Sequence, residues 1–357
     1  MEWAGQKRVA AIAFRPEAFS ARSGLLPLAE ALGIRAIVHD VAWQRWARRS
    51  WTLGHGLRRA GQWYYGSEWN ALVPLLDEWR LARELRRGGA DAAHFLFAEF
   101  AGPRRGGVFR RRGLRTIGTF HCSVRRADRV LAGRRGDFSA FDWVTVVARC
   151  QEPYFLEAGV PRERLRVTPH GVDARYFSPG PRGGGAGRPI RALLVGGTER
   201  DHEFARSVMA ALSPDTLRLF IAVPPECQAG YRDSPGVEIL PRMADDDLRR
   251  AYREADLLFM PMLDSTANNV LLEAMACGTP VMTNRVGGIP EYVDPACNVL
   301  MPGKDVDQWA GRLEALADDP AGLAVMRPAV RAWAERFDWP SLAGHYVRLY
   351  QDVLGAG

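Results

Sequence analysis

Lysine is nearly absent from this 357-residue chain: Lys7 and Lys304 are the only two among 48 basic residues, so arginine carries the positive charge. A GC-rich genome produces the same skew, which makes the placement of the arginines more informative than their number. Residues 41 to 136 hold 20 Arg against 7 Asp plus Glu, so the surplus behind the net charge of +7 belongs to one half of the chain. Cysteine is scarce and scattered. Cys122, Cys150, Cys227, Cys277 and Cys297 show neither C-x-x-C nor Cys/His spacing, which argues against a disulfide framework and a zinc site. Long apolar runs are also missing. "RVAAIAF" is cut by Arg15 and Pro16, too soon for a signal-peptide core, and no later segment approaches the roughly 20 apolar residues of a spanning helix. A cytoplasmic protein is expected, or one held at the inner face of the membrane.

What is present is apolar enough, at 47 % hydrophobic residues, for two ordinary domains. The strongest break is "SPGPRGGGAGRP", residues 178 to 189, where glycine and proline offer nothing to pack. It predicts domains at 1–178 and 179–339. Beyond it "IRALLVGG", "TLRLFIAV", "GVEIL", "ADLLFMP", "PVMT" and "NVLM" read as strands, with amphipathic segments between most of them, the grammar of a parallel sheet covered on both faces. Before it "KRVAAIAF", "IRAIV", "DAAHFLF", "LRTIGTF" and "WVTVV" follow the same grammar, with a helix expected over 70–87. The fold class is therefore α/β, two doubly wound sheets in tandem. An amphipathic helix over 340–357 is expected to cross back onto the first domain.

The stretch "DSTANNVLLEAMACGTPV", residues 264 to 281, places one carboxylate, Glu273, inside an apolar run. A buried, unpaired carboxylate costs several kcal/mol, so Glu273 either reaches solvent or meets a partner. Asn268 or Thr266 can cap a helix that runs to about Cys277 and ends at Gly278. Ligands of open parallel sheets bind beyond the carboxyl ends of the strands, where a helix N-terminus offers free N–H groups to phosphate. A carboxylate one to two turns further in suits a ribose diol.

"LLEAMACGTPVMTNRVGGIPEYV" resembles the donor segment of retaining glycosyltransferases of family four, which have the two-domain GT-B fold. "VPRERLRVTPHGVDARYFSP", "YREADLLFMP" and "GTFHCSVRR" resemble other segments of that family, with His170 where asparagine is usual. The resemblance implies transfer of a sugar, with retained anomeric configuration, from a UDP- or GDP-linked donor to a sugar, a lipid-linked or a small-molecule acceptor. No metal and no further cofactor are implied. Glu273 is implied to bind the ribose and His121 to face the sugar; for His121 a scaffold role stays equally open. Gly24, with Ser23, resembles the glycine loop facing the donor, and Gly196 and Gly197 the loop after the first strand of the second domain. Ser265, Thr266, Ala267, Asn268, Asn269 and Val270 would line the diphosphate.

Two positions depart from the family pattern. Ser265 stands where the first glutamate of an E-x7-E pair is usual, with Asp264 or the Asn268/Asn269 pair as possible substitutes. Gly197 stands where an arginine grips the diphosphate, and no lysine follows; Arg200 is the candidate for that charge, ahead of His202. These departures motivate one alternative, a non-catalytic sugar-nucleotide-binding protein; a second is an epimerase or phosphorylase on the same frame. Asp245–Asp247 read as the first turn of a helix rather than as metal ligands, and Gly287 and Gly288 as a turn or a close approach to the donor. The segment "VAWQRWARRSWTLGHGLRRAGQWYYGSEWN" interleaves seven aromatic residues with five arginines. Contact with an anionic membrane through 41–115, stacking on an acceptor and ordinary packing compete for it. Nucleic acid is not expected, since no recognition module is visible.

Overall fold

The structure is a computed structural model that describes residues 8–15, 22, 26–40, 81, 83–85, 87–101, 109–110, 113–131, 138, 141–182 and 187–355. It divides into two compact units, Met1–His170 with Leu342–Gly357, and Gly171–Ser341. Gly24, the aromatic and arginine-rich segment 41–70 and most of the helix expected over 70–87 lie outside the described residues.

In the first unit six parallel strands, β1 (Val9–Arg15), β2 (Arg35–Asp40), β3 (Ala92–Phe95), β4 (Arg115–Phe120), β5 (Trp143–Val146) and β6 (Leu165–Val167), lie in the order β2-β1-β3-β4-β5-β6. The short edge strand β6 was not expected from the sequence. The inner strands are closed on both faces: all four residues of β3 are buried, as are five of the six in β4. Against them packs a core rich in phenylalanine, with Phe95, Phe120, Phe141 and Phe155. Each buried side chain of this size removes apolar surface worth about 1.5–3 kcal/mol.

The second unit repeats the plan with β7 (Ile190–Val195), β8 (Leu217–Ala222), β9 (Val237–Ile239), β10 (Leu257–Met260), β11 (Val281–Asn284) and β12 (Val299–Met301), in the order β12-β11-β10-β7-β8-β9. These are the six apolar runs read from the sequence. Trp309 closes its core against Phe204 and Phe259. In both sheets the chain leaves the first strand on one side and later returns on the other. The reversal falls between β1 and β3 in the first unit and between β7 and β10 in the second. Sheets of this kind bind ligands beyond the carboxyl ends of those strand pairs.

The boundary between the units lies ahead of the glycine-rich linker, which places it after His170 rather than at 178/179. Residues 171 to 178 are fastened to the second unit. Val172 N donates to Phe337 O at 2.9 Å and Ala174 N to Asp338 Oδ1 at 3.1 Å. Arg331 donates to the carbonyls of Ala174 and Phe177, and Arg253 to that of Ser178. Composition marks where a chain cannot pack, whereas these hydrogen bonds determine where it has already been captured.

Candidate functional site

The crevice of the second unit is built from the loops after β7 and β10. The first loop, "GGTER", turns through two left-handed residues, Gly196 (φ 86°) and Glu199 (φ 58°). It is stitched to the second by Leu263 N donating to Glu199 O at 2.9 Å and by a bridge between Arg200 and Met262. Asn284, at the end of β11, clamps the second loop by accepting from Met262 N and donating to Met262 O.

Arg200 is fixed by this scaffold. Its Nε donates to Val195 O at 3.0 Å and its Nη1 to Thr198 O at 2.7 Å, while Nη2 reaches Asn268 Oδ1 at 3.4 Å. A Cβ at Gly196 would stand 3.2 Å from Nη2, so this glycine leaves room for the guanidinium. Gly197 instead faces Pro224 and Cys227. Asn268 caps the helix Asn269–Ala276, its Oδ1 accepting from Val270 N at 3.0 Å. The amide of Val270, expected to face a phosphate, is therefore used by the cap. Gly278 (φ 76°) ends the helix, as its sequence predicts.

Arg200 thus sits against the positive end of a helix dipole, an unfavourable place for a cation unless a negative group joins it. Burial pulls the guanidinium down to about 10, with Tyr252, Glu273 and Glu199 holding it up, so it remains charged at neutral pH. Glu273 supplies part of the opposing charge. It is 2 % exposed, on the inner side of the helix, and its Oε2 accepts from the hydroxyl of Tyr252 at 2.9 Å. The carboxylate singled out in the sequence is therefore buried with partners inside the protein. Sequence reasoning missed Tyr252 and Asn284, which hold the charged residue and the loop in place.

Ser265 and Thr266 are buried. Asp264 Oδ1 accepts from Ser265 N at 2.8 Å, and Gly288 N donates to Ser265 O at 2.8 Å. A Cβ at Gly287 would run into Ser265 O and stand 2.6 Å from Asp264 Oδ1, so glycine is required by the close approach of the two loops. His202 bonds the Tyr231 hydroxyl through Nδ1 at 3.0 Å, and burial lowers its pKa. It is a neutral packing group, unlike Arg200. Asp245–Asp247 open the helix Asp245–Glu254, and among the described residues no group of three or more His, Cys, Asp or Glu is arranged to hold a metal.

His121 belongs to the first unit, where it follows β4. Its backbone N donates to Glu99 Oε1 at 3.0 Å, and its Nε2 bonds Leu96 O at 2.9 Å. Phe97 packs on the ring at 4.5 Å and His170 meets it edge-on at 5.3 Å. Desolvation, then the neighbouring His170, lowers its pKa well below 6.5, so the ring is neutral.

Two family profiles match the chain: "Glycosyltransferase Family 4" over residues 25–176 and "Glycosyl transferases group 1" over 190–319, together most of its length. The chain belongs to glycosyltransferase family four. Among curated relatives, D-inositol 3-phosphate glycosyltransferase of Saccharomonospora viridis is 36% identical over 33% of this chain and 27% of its own length. The enzyme of that name from Mycolicibacterium vanbaalenii is 31% identical over 53% and 49%. The chain spans about half or less of the length of these relatives. The GT-B fold is shared with sucrose-phosphate synthase from Thermosynechococcus elongatus (TM-score 0.71, 17% identity, 99% of this chain and 100% of that one). It is shared too with Anabaena HepE in complex with UDP and glucose (TM-score 0.70, 15% identity, 97% and 100%). Arg200 and Glu273 fall in the group 1 segment of the family, and His121 in the family 4 segment. Among the described residues no helix is long and apolar enough to cross a membrane.

Proposed function

We propose that this family-four member transfers a sugar from a nucleoside-diphosphate-sugar to an acceptor hydroxyl, with retention at the anomeric carbon and without a metal. One observation carries the reading: Arg200 is locked against the N-terminus of the helix Asn269–Ala276 in the crevice between β7 and β10. Two positive elements held together without reorganisation are suited to a diphosphate whose charge grows as it departs. Glu273, held by Tyr252, binds the ribose hydroxyls, and the close-packed Gly287 turn keeps the loop in register. The bond from the anomeric carbon to the diphosphate oxygen breaks, the acceptor oxygen bonds to the same face, and the departing phosphate takes the acceptor's proton. UDP is favoured as the nucleotide because HepE binds it, and inositol 3-phosphate is the first acceptor to test because the curated relatives are named for it.

The test incubates the full chain with UDP-glucose, UDP-N-acetylglucosamine and GDP-mannose, each with inositol 3-phosphate and EDTA. Nucleotide release is followed together with the anomeric configuration of the product by NMR. Acceptor-dependent release with retention is expected. Saturable UDP binding without turnover across a wider acceptor panel would favour a binding protein, the reading motivated by Ser265. Product formed without acceptor would favour an epimerase or phosphorylase.

A further inference from the structure

After β3 the first unit holds an acid that the donor chemistry does not use. Glu99 lies in the short helix Ala98–Ala101 that follows β3 and is 4 % exposed. Its Oε1 accepts from His121 N at 3.0 Å, whereas Oε2 is buried without any hydrogen-bond donor from the protein. A buried carboxylate oxygen left in that state is costly. The loop that Oε1 holds carries the ring of His121. Phe97 lies alongside. A carboxylate acceptor close to an aromatic face suits a hydroxyl hydrogen on a carbon ring, and it repels a phosphate or carboxylate group.

We infer that Glu99 is a ligand-binding residue of the first unit, its Oε2 accepting a hydroxyl hydrogen from a polyol or sugar ring while its Oε1 positions the His121 loop. The inference deepens the transferase reading and rests on it for the role of that ligand as acceptor. Desolvation raises the carboxyl to about 7 against the opposing amides of Glu99, His121 and Cys122. The groups facing it are His121 and Cys122, with His170 and His94 acting on His121 and Arg126 on Cys122. Hydroxyl acceptance by the ionised form therefore strengthens as pH rises through about 7.

The experiment measures saturation-transfer NMR of the full chain with glucose and with myo-inositol at pH 6, 7 and 8, in wild type, Glu99→Gln and Glu99→Ala. UDP binding is measured in parallel by calorimetry. Wild type is expected to bind at least one polyol more tightly at pH 8 than at pH 6. Both variants should lose about tenfold in that affinity, with the pH dependence gone. In Glu99→Gln the His121 amide resonance should stay in place, since a carbonyl oxygen still receives it, which separates ligand binding from loop positioning. Absence of polyol binding in wild type, or equal binding in the variants, overturns the assignment while UDP binding leaves the transferase reading standing. Glu99-dependent polyol binding without any UDP binding does the reverse.

Discussion

In the second unit the strands on either side of the reversal lead into Arg200 and the amide-bearing start of the helix Asn269–Ala276. The corresponding reversal of the first unit leads into Glu99, and the next strand into the neutral His121. Two sheets of the same plan therefore end in different chemistry: fixed positive charge in one, a buried carboxyl and a neutral imidazole in the other. A parallel sheet covered on both faces leaves its strand ends as the place where polar side chains can collect, whatever the ligand. The fold fixes where the site is, and a few loop residues fix what it holds.

The sharpest way to break this contrast is to remove the cation. Arg200→Ala should lower kcat/KM for transfer by about 10²–10³, as loss of a group aimed at developing charge does. Arg200→Lys should recover only part of this, because an ammonium cannot keep the contacts with Val195, Thr198 and Asn268 together. Polyol binding by the first unit should not change. Steady-state kinetics of the two variants decide it, and an active Arg200→Ala would remove the basis of the proposed mechanism.

The next contrast is one of pH. Glu99 is raised to about 7 from 4.5, so between those values the native state keeps a proton that the unfolded chain has released. Stability falls as pH rises through this window, by about 3 kcal/mol in all. His94, lowered to about 3 by burial, has the opposite sign: its contribution is present above the unfolded value of 6.5 and is lost as pH falls below it. Urea denaturation of Glu99→Gln from pH 5 to 8 should lack the falling component and leave the histidine slope exposed. An unchanged profile would show that Glu99 ionises normally. In the second unit Arg200 changes charge only near 10, outside this range.

Tyr252→Phe tests the support of the second site. It removes the 2.9 Å donor from a 2 % exposed carboxylate, and should cost about 1–3 kcal/mol in urea denaturation. A neutral result would mean that Glu273 finds another donor easily.

These partners show where sequence reading stops. The central strands of the second unit were legible because a strand buried on both faces must be a short apolar run, as "ADLLFMP" is. The three-residue edge strand β6 was not, since "RLRV" alternates arginine with apolar residues and lies beside a proline-containing loop. The start and stop of the helix Asn269–Ala276 were legible from Asn268 and Gly278, because caps are local chemistry. Tyr252 was not: in "LRRAYREA" it reads as an ordinary apolar position, and its bond to a residue 21 positions away exists only after folding. Glu99, in "FLFAEFAG", has only the look of a helix start, and its meaning depends on the loop after the neighbouring strand.

The smallest effect compares how the two units treat a left-handed residue. The first unit places glycine at such a turn, as at Gly113 (φ 79°), where an added Cβ would meet nothing within 4 Å. Gly113→Ala should therefore cost about 1 kcal/mol through backbone conformation alone. The second unit does the same at Gly196 and Gly278 but keeps Glu199 left-handed (φ 58°) in the loop that carries Arg200. Glu199→Gly should be more stable than Glu199→Ala by about 0.5–1 kcal/mol in thermal or urea denaturation. Its effect on transfer gives the contrast a functional meaning. If glycine stabilises the fold but slackens the hold of Leu263 N on residue 199, UDP affinity should fall slightly as stability rises, the mark of strain kept because it positions a charge. If affinity and stability rise together, the left-handed glutamate contributes nothing to the site.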